Sequence, residues 1–379
     1  MTAVNLPPKQ KVSILFVVPT LQWGGAERVI LTILRHLDRD LCQASLVVID
    51  GSERQFDADL PRDLEIIDLQ CRRVRFGAKR LVRLIRHRRP NVVFSVLGHL
   101  NLLLALLKPL FPRRTKLIVR ETIVVSSNLA ASRWAWAWRI AYRRLLPRCD
   151  AIVCQSHDMK QDMIDDIGIR GGNITLLPNP VDVARVRELS VTPIDTAVWQ
   201  RFVGNAAQIR LVAAGRLVWQ KGFDMLIKAL ALLADRRLHL TIIGTGPMRA
   251  ELLQLSGELG VDSQLDFTGF MENPYPMYRS ADAFILSSRF EGMPNVVLEA
   301  LACGTGVIAT PSPGGIVEIL QGRPRCKIAE ATDSKGLADA IANYDFGSEA
   351  RIEEFDLEEY AAERVCNRYA ELFRVVAGR

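Results

Sequence analysis

Short, continuous apolar runs alternate with longer amphipathic segments along nearly the whole chain. Val12-Ser13-Ile14-Leu15-Phe16-Val17-Val18 opens the series and leads through Gly24-Gly25 into a segment of helical period that reaches about Leu37. Further runs at 44–49, 65–69, 92–97, 116–120, 151–155 and 174–177 predict strands. A strand covered by helices on both faces has no solvated side, so it reads as an unbroken apolar run rather than as strict alternation. Pro178-Asn179-Pro180 interrupts the series, and 181–208 has no strong period, which predicts a linker. A second series follows at 209–214, 239–243, 265–267, 283–286 and 307–309, with helix-length segments between neighbours. The predicted fold class is α/β, with two Rossmann-like domains whose parallel sheets face a central cleft. Their boundaries are placed at 1–190 and 191–356, and 357–379 carries a final amphipathic helix.

Composition narrows the setting. At 379 residues the chain can bury two cores, and 49% hydrophobic with 24% charged residues is ordinary for globular proteins. No apolar run reaches the roughly 18 residues of a membrane-spanning helix, and residues 1–10 lack the apolar core of a signal peptide. The seven cysteines include no Cys-x-x-Cys pair, which argues for reduced thiols and a cytoplasmic protein rather than a disulfide framework or zinc site. The net charge of +7 hides a split. Residues 1–190 hold 30 basic and 18 acidic side chains, the remainder 19 and 24, and 71–148 hold 19 basic residues against the single acid Glu121. The first half is therefore expected to face something negative: nucleic acid, an anionic membrane or a phosphorylated substrate.

The most informative stretch runs from Ser287 to Gly304, reading Ser-Ser-Arg-Phe-Glu-Gly-Met-Pro-Asn-Val-Val-Leu-Glu-Ala-Leu-Ala-Cys-Gly. It follows a strand-like run and enters a helix predicted to start at Pro294 and to stop near Gly304. Glu291 falls in the loop, at the strand end where open α/β sheets place ligands. Glu299 falls in the helix among apolar neighbours, where an unpaired charge would be costly. The amides of Asn295, Val296 and Val297 have no helical acceptors, so the turn is a candidate phosphate site. Taken singly, each glutamate is as well explained by a helix cap or a surface ion pair. Together with Gly292, Met293 and Pro294, they make the chain resemble glycosyltransferase family 4, whose signature is two glutamates separated by seven residues around a Gly-Met-Pro-like turn. The resemblance implies a GT-B fold and a retaining transfer from a nucleotide sugar. It places the donor sugar on Glu291 and the ribose on Glu299, and folds the last helix back across the linker.

Other positions are weighed against the same resemblance. Arg216 and Lys221 follow the first strand of the second domain and could converge on one pyrophosphate, the planar guanidinium gripping two oxygens and the ammonium acting as a point charge. Two solvated loop cations would explain them equally well alone; the family implies the diphosphate role. Gly244 and Gly246 begin a Gly-x-Gly whose third glycine would fall at Arg249, so a dinucleotide fingerprint fails. The resemblance puts the nucleotide base near these glycines and Phe270, and the donor phosphate near Gly24 and Gly25, although tight turns alone would also use glycine. Where many members carry a histidine, this chain reads Arg120-Glu121, which become candidate sugar or acceptor contacts; His99 is left outside the site. The two Asp-x-Asp triplets, Asp38–Asp40 and Asp57–Asp59, lie in polar connections, so no metal or cofactor is expected, and Arg216 and Lys221 would neutralise the leaving group.

A helix over 132–145 would put Trp134, Trp138, Ala141 and Leu145 on one stripe, with Trp136, Arg139 and Arg143 opposite. One over 79–89 would turn Leu81, Leu84 and Ile85 inward and leave Arg80, Arg83 and Arg86 outside. Tryptophan among arginines suits an anionic membrane surface, and a solvated basic face is the plainer alternative. The expected partners are thus a nucleotide-sugar donor, probed first as UDP-sugar and then GDP-mannose, a glycan or polyprenyl-linked acceptor, and the inner face of the plasma membrane. No nucleic acid is expected, because the basic half lacks interleaved aromatic motifs. The alternatives are a noncatalytic nucleotide-sugar sensor or scaffold, and an epimerase of the same fold.

Overall fold

A computed structural model describes residues 11–21, 24–52, 60–130, 132–170, 173–193, 199–200, 202, 208–233, 237–347 and 355–378. The chain forms two compact units: Met1–Pro180 together with Glu359–Arg379, and Val181–Glu358. The first is built on a seven-stranded sheet of order β3-β2-β1-β4-β5-β6-β7. Its strands are β1 (Val12–Val18), β2 (Cys42–Val48), β3 (Glu65–Asp68), β4 (Val92–Val96), β5 (Lys116–Arg120), β6 (Ala151–Cys154) and β7 (Ile174–Leu176). Every neighbouring pair is parallel, so helices cover both faces and each face has its own core.

The final helix, Ala362–Ala377, belongs to this first unit and packs on β1 and on the helix Gly25–His36. Its Tyr369 and Phe373 are fully buried and meet Phe16 and Phe94 edge-on at centroid distances of 5.4–5.8 Å. Burying each such ring contributes about 1.5–3 kcal/mol, so 16 residues from the far end of the sequence complete this core.

The second unit holds a six-stranded parallel sheet of order β10-β9-β8-β11-β12-β13. The strands are β8 (Ile209–Ala214), β9 (Leu238–Ile243), β10 (Leu265–Gly269), β11 (Ala283–Leu286), β12 (Val307–Ala309) and β13 (Cys326–Ile328). The apolar runs do not announce β13, a three-residue edge strand with a lysine at its centre. The unit begins at Val181 rather than at residue 191, because the helix Val183–Ser190 packs on the helices Tyr275–Ser280 and Asn295–Ala302. Asn273 Nδ2 donates to the Leu189 carbonyl at 2.9 Å, and Arg187 Nε to that of Ala302 at 3.4 Å. In each sheet the strand order reverses beside the first strand of its unit, at β1/β4 and at β8/β11, and ligands of open α/β sheets bind at such reversals. Among the described residues no helix is long and apolar enough to cross a membrane.

Candidate functional site

In the second unit the loops leaving β8, β11 and β12 are stitched together at the carboxyl edge of the sheet. The Arg289 amide donates to the Gln220 carbonyl at 2.8 Å, Gln220 Nε2 to the Phe290 carbonyl at 2.9 Å, and Ser287 Oγ to the Lys221 carbonyl at 2.9 Å. From the other side, the Glu291 amide donates to the Pro313 carbonyl at 2.9 Å and the Gly315 amide to that of Gly292 at 2.7 Å. Gly314 has φ +122°, and a Cβ there would stand 2.4 Å from the Glu291 carbonyl oxygen, so this close approach needs glycine.

That framework holds Glu291, 5% exposed, against Lys221. Nζ lies 2.6 Å from Oε1, and Ser288 Oγ donates to the same oxygen at 2.5 Å. A buried carboxylate requires such a partner, and a charge-assisted hydrogen bond is the strong kind. Sequence reasoning gave Lys221 and Glu291 separate roles; the structure makes them one unit, with two ammonium donors left over. Arg216, by contrast, is exposed and makes no ion pair with the described residues.

Two features of this region were not legible beforehand. Ser288 shares Glu291, and Arg289 grips Asp224 with two hydrogen bonds of 2.8 and 2.7 Å while lying 4.6 Å over the Trp219 ring. Burial works to raise the Asp224 pKa, but the Arg289 hydrogen bonds and charge outweigh it and hold the carboxyl below its ordinary value. A serine three residues before Glu291 was the available signal for the first, and an aspartate in the first turn of the helix Phe223–Leu233 for the second.

The glycines after β9 brace the loop that carries Arg216. A Cβ on Gly244, φ +141°, would meet the Gly215 carbonyl oxygen at 2.0 Å, and one on Gly246 the Leu217 backbone at 2.5 Å. Phe270 follows β10 and is 45% exposed. Glu299 is buried in the helix Asn295–Ala302, and Pro294 is the residue preceding that helix rather than its first. Of the three amides predicted to lack acceptors, that of Val297 donates to the Pro294 carbonyl at 3.1 Å, so the tight first turn removes it from the phosphate site.

The first unit corrects more of the reading. Arg120 and Glu121 are 1% and 2% exposed and do not face a ligand. Arg120 donates from Nε to Tyr369 Oη at 3.2 Å and from Nη2 to Asn179, tying β5 to the last helix and to the end of the unit. Glu121 Oε1 accepts from Asn101 Nδ2 at 2.8 Å, and Asn101 Oδ1 accepts from Ser95 Oγ at 2.6 Å. Burial pushes the Glu121 carboxyl up to about 7, against the lowering effect of the Asn101 and Tyr142 hydrogen bonds. Next to Gly24 the Glu27 carboxylate fills the space a Cβ would take, at 2.2 Å, so the Gly24-Gly25 turn faces a carboxylate of its own chain rather than standing open to an anion. Asp38 Oδ1 caps its own turn, accepting from the Asp40 amide at 2.8 Å, and the triplet Asp57–Asp59 lies outside the described residues.

The tryptophan helix also differs. It spans Ala135–Leu145 and buries only Tyr142; Trp134, Trp136, Trp138 and Ile140 are 56%, 62%, 41% and 47% exposed. The stripe is therefore split: Trp134 and Trp138 are on the surface with Arg139, while Ala141 and Leu145 pack on the core of the first unit. The helix Val74–Arg88 buries Leu81, Val82 and Ile85, and Arg83 and Arg86 line a groove of about 530 Å³ with Leu107 and Leu110. Arg80 instead turns back to the Leu69 carbonyl at 2.5 Å.

Comparison with known proteins agrees with this architecture. Residues 23–185 match the family described as Glycosyltransferase Family 4, and 208–344 match Glycosyl transferases group 1. The chain is 26% identical over 308 residues, 78% of it and 80% of the relative, to the N-acetylgalactosamine-N,N'-diacetylbacillosaminyl-diphospho-undecaprenol 4-alpha-N-acetylgalactosaminyltransferase of Campylobacter jejuni. A glycosyltransferase structure from Rickettsia africae superposes with TM-score 0.76 at 17% identity, covering 97% of this chain and 99% of that one. Anabaena HepE, solved with UDP-glucose, superposes with TM-score 0.70 at 18% identity, covering 97% of each. At these identities the two structures speak to the fold alone.

Proposed function

The chain belongs to glycosyltransferase family 4 and is a hexosyltransferase of the GT-B fold; from that premise we propose that it moves a sugar, with retention, from a UDP-sugar to a hydroxyl of a lipid-linked envelope glycan. The observation that carries the reading is the Lys221–Glu291–Ser288 cluster at the β8/β11 reversal, with the exposed Arg216, which pairs with no acid among the described residues, on the adjoining loop. A donor diphosphate laid there meets Arg216 and the free donors of Lys221, with the amides of Asn295 and Val296 at the helix end. Glu291, fixed by Lys221 and Ser288, orients the sugar, and Glu299 takes the ribose. The glycines at 244 and 246 hold the Arg216 loop in place, and Phe270 and Met293 border the donor.

In the transfer step the bond from the anomeric carbon to the diphosphate breaks, a bond to the acceptor oxygen forms on the same face, and the departing phosphate takes the acceptor proton. Negative charge grows on the diphosphate as it leaves, so Arg216 and Lys221 stabilise the transition state more than the ground state, and this charge is supplied without a metal. UDP-glucose, with which a fold neighbour is solved, supplies only the first donor to test, and a lipid-linked acceptor is favoured by the relative named for a diphospho-undecaprenol substrate. The exposed tryptophans and the arginine-lined groove on the first unit fit an anionic membrane surface on the cytoplasmic side.

The test is nucleotide release from UDP-, GDP- and ADP-sugars, with and without a bacterial membrane lipid extract. Release from one nucleotide class that rises with the extract supports the reading. Nucleotide binding with no turnover on any donor would replace the transferase with a sensor.

A further inference from the structure

The loops leaving β1, β2 and β3 and the helix Gly98–Leu107 after β4 line an open cavity of about 500 Å³ at the carboxyl edge of the first sheet. It lies at the strand-order reversal of that sheet, where parallel α/β sheets hold ligands. Its wall carries Thr20, Asp50, Arg72, Arg73, Arg75 and His99. Arg72 and Arg73 pair with no carboxylate among the described residues, and Arg75 has its guanidinium 4.9 Å from the exposed Phe76 ring. Among the described lining residues one carboxylate, Asp50, stands against these three cations, and it already accepts from the Ser52 amide at 3.1 Å. The helix Val74–Arg88 starts at this same edge with no acidic residue in its first turn and no side-chain cap, so its amide end adds to the positive field.

We propose that this cavity binds the phosphate or diphosphate group of the acceptor, which makes the acceptor a phosphate ester rather than a neutral glycan. Three guanidinium groups offer paired donors that match phosphate oxygens, and exposed arginines that pair with no acid among the described residues keep those donors available. The inference rests on the reading of the chain as a transferase whose acceptor meets the first unit. The same chemistry would serve a polyprenyl diphosphate or a soluble sugar phosphate.

The experiment is calorimetric titration of the full chain, saturated with UDP so that the donor site is filled, with inorganic pyrophosphate and then with farnesyl diphosphate. The parent is compared with the triple variant Arg72→Ala/Arg73→Ala/Arg75→Ala and with Arg113→Ala/Arg114→Ala/Arg139→Ala, which removes equal charge from exposed positions of the same unit. The expected result is pyrophosphate affinity at least tenfold weaker in the first triple and within twofold of the parent in the second. Tighter farnesyl diphosphate binding assigns the site to a lipid, and equal affinity for the two probes assigns it to a soluble phosphate. No binding by the parent, or equal weakening in both triples, overturns the proposal. UDP affinity measured on the same samples separates the two claims: its absence with pyrophosphate binding intact counts against the transferase reading and leaves the anion site standing.

Discussion

Replacing Glu121 by glutamine isolates the cost of burying one carboxyl group. Its pKa lies near 7 in the folded chain against an ordinary 4.5. Below pH 4.5 both states hold the proton and the group is neutral to stability. Between 4.5 and 7 the unfolded chain releases the proton while the folded chain keeps it, so stability falls as pH rises; above 7 the loss is complete. A difference of about 2.5 units corresponds to about 3 kcal/mol, of the order of a third of a typical domain's stability. Glutamine keeps an oxygen for Asn101 Nδ2 and offers its amide to Tyr142. The variant is therefore expected to match the parent near pH 4.5 and to exceed it by up to about 3 kcal/mol at pH 8. Hydrogen exchange of peptides covering β5 and β6, followed from pH 5 to 8 and corrected for the intrinsic rate, reads this directly. Parallel pH profiles for parent and variant would show that Glu121 does not carry the proton.

The remaining predictions concern the second unit and the surface. Lys221→Ala leaves Glu291 buried without its cation and is expected to lower the stability of that unit by about 2–3 kcal/mol, read as a lower calorimetric Tm, with Glu291→Gln in the same chain recovering part of it. Gly244→Ala forces a methyl group toward the Gly215 carbonyl and displaces the Arg216 loop, so UDP affinity should fall about tenfold or more, a loss of about 1.4 kcal/mol or more, in equilibrium titration. The triple change Trp134→Ser/Trp136→Ser/Trp138→Ser acts on side chains that are 41–62% exposed, and should abolish co-sedimentation with phosphatidylglycerol vesicles at low salt with little change in Tm.

The fold was legible because parallel strands advertise themselves. Runs such as Ala283–Leu286 are apolar on both faces and bounded by turns, and only β13, short and half-buried at an edge, gave no such signal. The sequence alone leaves the helix Val183–Ser190 in a linker, because what decides its side is contact with Asn273 and Ala302, far along the chain. The signature from Glu291 to Glu299 is local and could be read; its pairing with Lys221 spans 70 residues and could not. The failures at Arg120 and Glu121 have the same origin. Charged side chains read as ligand contacts unless their partners are known, and those of Arg120 are Asn179 and Tyr369, 59 and 249 positions away. The tryptophan stripe was legible in part, since helical period tells which residues share a face but not how far along the helix that face is covered: Ala141 and Leu145 pack on the core and Trp134 and Trp138 do not.

The measurement that bears most directly on the central claim is steady-state sugar transfer by Glu291→Ala and Arg216→Ala beside the parent, with UDP affinity determined for each. The account predicts that kcat drops about a hundredfold or more in both variants, as for the loss of one group that stabilises developing charge, while Glu291→Ala binds UDP within a few-fold of the parent. Parent-like kcat in either variant would remove that residue from the chemistry, and parent-like kcat in both would contradict the assignment of the β8/β11 loops as the transfer site.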